Sequence, residues 1–372
     1  MNKTKLSNPV RLIAFFLTAF LLVCTFGFSA DGWQIGENPG EDNSTINPNA
    51  PSNGNNDSEN GSITDDISKE PEIYKPKFIN RLTGIETDEN SAEKAHFAFV
   101  MNGDSPLYGI WGADLVCELP TENSTRYIAF ISDSENLWKC GDIEPTRGYI
   151  SNIARYFGGI CVSYGNDDSI NYNKCDMSGT SIDLSISDKY HYTEFGSNVY
   201  CNSDLLCSAT SGNTIIPDSL SASLPYSFVD FGNEPITYGE NHVSHIKIEK
   251  SISTFSDIYY NNESLKYSIS SNGAALTDAI NGKVLEFANC FILFADSVTY
   301  DNIDGSQMVV DTIGSGTGYY FSMGGMCEIK WSASQDGIMS FTLNDGTNLT
   351  ANRGNSYITF QKTSTIDKVT FQ

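Results

Sequence analysis

Four charged residues stand where they could do chemistry. Glu118 and Glu122 lie four apart at the end of an apolar run, Arg126 follows four residues later, and Arg147 opens a segment of helical spacing. Two carboxyls beside two guanidiniums can serve as a general acid and base pair, hold a carboxylate or a sugar, or neutralise one another as a structural ion-pair network. The catalytic version would be an envelope hydrolase with Glu118 and Glu122 as acid and base. Ligands of open α/β sheets gather at the carboxyl ends of strands, so one polar cleft holding all four charges is the expected place.

The other motifs fail on context. In IGSGTGYYFSMGGMCEIKW, Gly314, Gly316 and Gly318 spell GxGxG. A dinucleotide fingerprint needs a following helix whose N-terminus holds the pyrophosphate, and a phosphate loop needs Gly-Lys-Ser/Thr. The next residues here are YYFSM, Gly324-Gly325 and MCEIKW, which read as two strands around a glycine turn. His242 and His245 sit three apart in a strand pattern, pointing to opposite faces, so one metal cannot easily take both. DNIDG places Ile303 where a calcium loop needs an oxygen ligand. With no HExxH or GxSxG in the chain, neither a metal nor a cofactor is assigned.

The composition excludes some partners. Of 372 residues, 40% are hydrophobic and 12% aromatic, enough for a sizeable core. The formal charge is -24; beyond residue 30 there are 19 basic residues against 46 acidic, a net of -27. Such a surface repels phosphate backbones and anionic membranes, so no nucleic-acid partner is expected. Residues 1–30 have a basic start, then an uncharged apolar run of 17 residues from Leu12 to Phe28. This is the pattern of a signal peptide or signal anchor. LLVC resembles a lipobox ending at Cys24, with Val23 where a small residue is expected; cleavage after Ser29 and outright secretion is the alternative. Either fate places the bulk of the chain outside the cytoplasm, touching a membrane through its N-terminal segment only. Residues 31–73, rich in Asn, Ser, Gly, Pro and acid, have the composition of a disordered spacer.

From residue 74 to 224, HFAFVMNG, ADLVCEL, RYIAFIS and GICVSYG read as strands. Ile150, Ile153, Ala154 and Phe157 fall at helical spacing before Gly158-Gly159, so the last two strands and this helix predict a βαβ unit. A second short helix is expected from Ser203. From 225 to 372 strand runs alternate with Asn, Asp, Gly and Ser turns, as in a mainly antiparallel β-rich domain. The expected class is α+β, with an α/β domain first. Cys117, Cys161, Cys290 and Cys327 fall in apolar runs and should pack as small hydrophobes. Cys140, Cys175, Cys201 and Cys207 lie in polar segments and are the better disulfide candidates, with no pairing selected.

RLTGIETDEN, ADLVCELPTENSTRYIAFI, GDIEPTRGYI and SNVYCNSDLL, with IGSGTGYYFSMGGMCEIKW and LNDGTNLTANRGNSYITF, resemble successive blocks of the YerB-like family, bacterial lipoproteins by description and of no established function. The resemblance spans about Tyr74 to Phe360. Leu82, Thr83 and Gly84 match the family's entry block, and Glu118, Glu122, Thr125 and Arg126 its acidic block. Arg147 matches one of two arginines, while Glu144 replaces the other. Asn198 and Tyr200 match a his-asn-x-tyr block in which Ser197 replaces the histidine. The resemblance thus adds Asn198 and Tyr200 to the candidate ligand-binding residues, with departures from the family pattern at Glu144 and Ser197. The export signal, the acidic spacer, the charged cluster and the missing catalytic motifs together lead us to expect a cell-envelope binding or accessory protein, with a glycan, peptide or protein as partner.

Overall fold

Period-two apolar runs bounded by turn residues become strands along most of the chain. In the computed structural model, the residues described are 78–372 except 123, 167–179, 213–226, 252, 303, 304 and 336. The N-terminal signal or anchor with Cys24, the spacer and Cys175 lie outside them. The first half contributes β1 (His96–Asn102), β2 (Leu115–Pro120), β3 (Thr125–Ile131), β4 (Cys140–Gly141), β5 (Gly159–Ser163), β6 (Ser181–Asp183), β7 (Tyr192–Glu194) and β8 (Asn198–Cys201), with helices α1 (Glu89–Glu93), α2 (Gly148–Tyr156) and α3 (Ser203–Gly212). The second half adds β9 (His245–Glu249), β10 (Phe255–Asn261), β11 (Lys266–Ser271), β12 (Asn289–Ala295), β13 (Gly314–Ser322), β14 (Gly325–Ala333), β15 (Met339–Leu343), β16 (Ser356–Lys362) and β17 (Val369–Phe371). Strand dominates and helices are few, a β-rich version of the expected α+β class.

One ten-stranded mixed sheet runs in the order β15-β14-β13-β12-β16-β2-β3-β1-β5-β6. It crosses the boundary expected near residue 224. β16 lies parallel to β12 on one side and parallel to β2 on the other, with Glu118 opposite Thr359. An inner strand needs a partner on each edge, and β16 finds one in each half of the chain. A second, antiparallel sheet includes β11-β10-β9-β17. Its Ile246, Ile248, Ile258 and Ile269 share one apolar cluster with Phe99, Met101, Val116 and Tyr127 of the large sheet. On the opposite face, Ile150, Ile153 and Ala154 of α2 join Ala98, Val100, Ile128 and Phe130. With both faces covered, central strands lose their alternation, and every residue of β12 is buried.

The βαβ expectation takes a different form. α2 follows β3 and the two-residue β4 and leads into β5, but β3 and β5 do not pair, because β1 lies between them, antiparallel to β3 and parallel to β5. β2 and β3 form a hairpin across the short turn after Pro120, β1 lies antiparallel along the other edge of β3, and β5 takes the remaining edge of β1 in parallel. The helix itself forms where its spacing predicts, and Gly158, at φ 71°, accommodates its left-handed stop.

The glycine-rich stretch is the hairpin of β13 and β14. Its turn is centred one residue earlier than the glycine pair suggested, on Met323 and Gly324, with φ of 54° and 73°. Two positive φ values suit the twist of the flanking strands. Gly316 faces Trp331 across the ladder, and the indole lies where a Cβ on Gly316 would be. The ring thereby reaches past β13, and its N–H donates to the Phe294 carbonyl of β12 at 2.9 Å.

Candidate functional site

Glu118 is 2% exposed, in the middle of the large sheet. The register puts Tyr127 on one side of it and Thr359 on the other. Its carboxylate accepts from Thr359 Oγ1 at 3.2 Å, from the Tyr357 hydroxyl and from the Nζ of Lys250, which descends from the loop after β9; Tyr127 is at 3.5 Å. Burial by itself would raise this carboxyl, but the charge and hydrogen bond of Lys250, with the two hydroxyls, hold it below its usual range. Burial, and then the nearby carboxylate, push the Tyr357 and Tyr127 hydroxyls well up. The arrangement is a desolvated ion pair with its lone pairs satisfied.

Glu122, Arg126 and Arg147 belong to a separate group. Arg126 is the neighbour of Tyr127 in β3 and so faces the other side of the sheet. Glu122 accepts from Arg147 Nη1 at 2.7 Å and from the backbone N–H of Met308. Arg126 donates to the Pro145 carbonyl at 2.9 Å and to Glu144 Oε2 at 3.0 Å. Glu144, which stands where the resemblance expects a second arginine, is thus the partner of Arg126. Arg147, Arg126 and Glu122 all act electrostatically on buried Tyr149, whose hydroxyl donates to the Pro120 carbonyl. Burial would raise Glu122, and the hydrogen bonds from Arg147 and Met308 lower it. The four expected charges therefore occupy two places: Glu118 is apart, and the other three are drawn together with Glu144.

Asn198 and Tyr200 lie on β8, in a small sheet with β4 and β7. Asn198 donates to Ser105 Oγ at 3.4 Å, and Ser105 in turn donates to the buried carboxylate of Asp142 at 3.0 Å. The rings of Tyr200 and Tyr108 each stand 4.0 Å from Lys139 Nζ, which also pairs with Glu194. His242 and His245 do not converge: the first meets Asn262, the second Asp257. Among the described residues no group of three or more His, Cys, Asp or Glu could hold a metal ion.

The sequence reading missed a recess of mixed polar and apolar lining. Residues 83–85, 110–114, 285–288 and 353–355, with Lys266, enclose a cavity of about 420 Å³. Trp111 is 45% exposed at its edge, with Lys283 Nζ 4.8 Å from the indole. Asp114, Lys266, Glu286 and Arg353 supply two charges of each sign. Behind Asp114 lies buried His96: Nε2 and Oδ2 are 3.8 Å apart, and neither atom has a hydrogen-bond partner. Burial first, and the Arg81 charge after it, outweigh the Asp114 charge and bring this imidazole down to about 4. Trp111 in the sequence offers no periodic signal, and its companions come from residues 83–85 and from Lys266, 285–288 and 353–355, far along the chain.

Comparison with known proteins agrees with this architecture. Residues 245–358 match the C-terminal domain of a protein family of unknown function, DUF3048. Putative lipoprotein YerB of Bacillus subtilis strain 168 is 25% identical over 265 residues, covering 67% of this chain and 76% of YerB. The crystal structure of YerB from Bacillus subtilis superposes with a TM-score of 0.64 at 21% identity, over 80% of this chain and 100% of the other. The aligned sequence, the matched domain and the shared fold make this chain homologous to Bacillus subtilis YerB.

Proposed function

We propose that this protein is an extracytoplasmic, membrane-tethered binding or accessory protein of the cell envelope, and that its ligand seat is the recess beside Trp111. The observation that carries the reading is the recess itself: a half-exposed indole, with Asp114, Lys266, Glu286 and Arg353, two charges of each sign, among the lining residues. An indole face and paired charges suit an uncharged, hydroxyl-rich ligand such as a wall glycan, stacking on the ring while its hydroxyls bridge Asp114, Lys266 and Arg353. The N-terminal apolar run supports the tether, and the relative's name as a lipoprotein points the same way.

The hydrolase reading has less support. A general acid needs a carboxyl raised toward neutrality, whereas Glu118 and Glu122 are both held low by their partners. The Glu122, Arg126 and Arg147 group is better read as the neutralised network that ties β2, β3 and α2 together.

The test is the thermal midpoint of the full chain against peptidoglycan fragments, teichoic-acid pieces, peptides and nucleotides, because a ligand that binds only the folded state raises it. We expect a glycan fragment to raise the midpoint in the parent and in Arg147→Ala, and to leave Trp111→Ala unmoved. A shift lost in Arg147→Ala but kept in Trp111→Ala would return the seat to the charged group.

A further inference from the structure

We propose that Cys140 and Cys201 are joined by a disulfide in the mature protein. The inference rests on the extracytoplasmic reading above, since such bonds persist in oxidising compartments. Its basis is register. β4 and β8 run antiparallel with Cys140 directly opposite Cys201. Residues so opposed have Cα atoms about 4.5 to 5.5 Å apart and side chains on the same face, within the ~4.4 to 6.8 Å that a disulfide spans.

The other strand cysteines lack this relation. Cys117 is opposed by Ile128 and Ile358, Cys161 by Ala98 and Ser181, Cys290 by Phe321 and Tyr357, and Cys327 by Tyr320. Among the described residues, Cys140 and Cys201 alone face each other across a ladder. Both are fully buried and belong to one apolar cluster, where a bond is shielded from exchange. Burial raises both thiols, to about 12 for Cys201, and Cys140 is raised further by its neighbour Cys201. Thiols so far from ionisation are poor nucleophiles in the folded chain, so the bond must close during folding and thereafter serve structure.

The chemistry balances with an external disulfide as oxidant, either glutathione disulfide or the active-site disulfide of a thiol oxidoreductase. One cysteine thiolate attacks it and expels a thiol; the second attacks the mixed disulfide and expels the other. Two thiols are oxidised and one disulfide is reduced to two thiols. The closed loop from Cys140 to Cys201 holds α2, β5, β6 and β7 to the small sheet.

The full chain should be produced once through an export route and once in the cytosol, and also recovered from its native host. Each sample is trapped with an alkylating agent in denaturant before peptide mapping without reductant. We expect the tryptic peptide beginning at Cys140 to be linked to the one holding Cys201 in the exported and native samples, with fragmentation assigning the bond to Cys201 over Cys207. The exported protein should melt higher than the cytosolic one by roughly 5 °C. Free, alkylated Cys140 and Cys201 in the exported sample would overturn the proposal. A bond in the exported sample but not the native one would uphold the pairing and overturn the extracytoplasmic reading.

Discussion

Lys250 shows how much one side chain can carry. Removing it leaves Glu118 with hydroxyls but no countercharge in the middle of a sheet, a situation that costs about 3 to 5 kcal/mol. We expect Lys250→Met to destabilise by that amount in denaturant titration at pH 7, and Lys250→Met with Glu118→Leu to recover most of it. The pH dependence has a definite sign. With Lys250 present, the folded pKa of Glu118 lies below its unfolded value near ~4.3, so its contribution is present above that value and is lost as pH falls through the folded one. Without Lys250, burial dominates and raises the folded pKa, so the deficit of the single variant should shrink near pH 4 and below. A deficit unchanged between pH 7 and pH 4 would show that the lysine acts through packing alone. The sequence made Glu118 conspicuous, but as one of a pair with Glu122; that its partner is a lysine 132 positions away was not legible.

At the scale of elements, the glycines of β13 are space for a neighbour. Gly316 lies under the Trp331 indole, and Gly318 lies against the Ile292 carbonyl. Gly316→Val would push the ring off its seat and break the hydrogen bond to Phe294, at about 1 to 3 kcal/mol for overpacking with a further ~1 for the lost bond. Urea titration checks this, and Trp331 fluorescence should shift to the red as the indole meets water. The hairpin was readable because its pattern is local: alternating apolar residues around a glycine turn. The mating of β1 with β5 was not, because a strand's parallel partner depends on which strands have already paired.

At the scale of the whole molecule, β16 is the strand that closes the sheet. It pairs along its full length with β12 and over four residues with β2. The two halves should therefore melt as one unit. We expect a single calorimetric transition for the full chain, and no cooperative transition in a chain truncated after Asn355, which lacks β16 and β17 and exposes the edges of β2 and β12. Two resolved transitions in the full chain would mean that each half keeps its own core. Composition announced a β-rich second half, yet it could not say that this half shares a sheet with the first.

What the sequence determined by itself was what depends on near neighbours: the strand runs, the α2 and α3 helices, the hairpin at Gly324, the acidic surface, and the ordered blocks that mark a YerB-like chain. It also marked the residues that carry unusual energy, Glu118, Glu122, Arg126 and Arg147, because charges beside apolar runs must be paired somewhere. Only the tertiary structure decided with what. Lys250 for Glu118, Glu144 for Arg126, Cys201 for Cys140 and the two walls of the Trp111 recess are all set by which strands lie side by side. That order comes from the whole chain burying its apolar faces at once, and no local pattern encodes it.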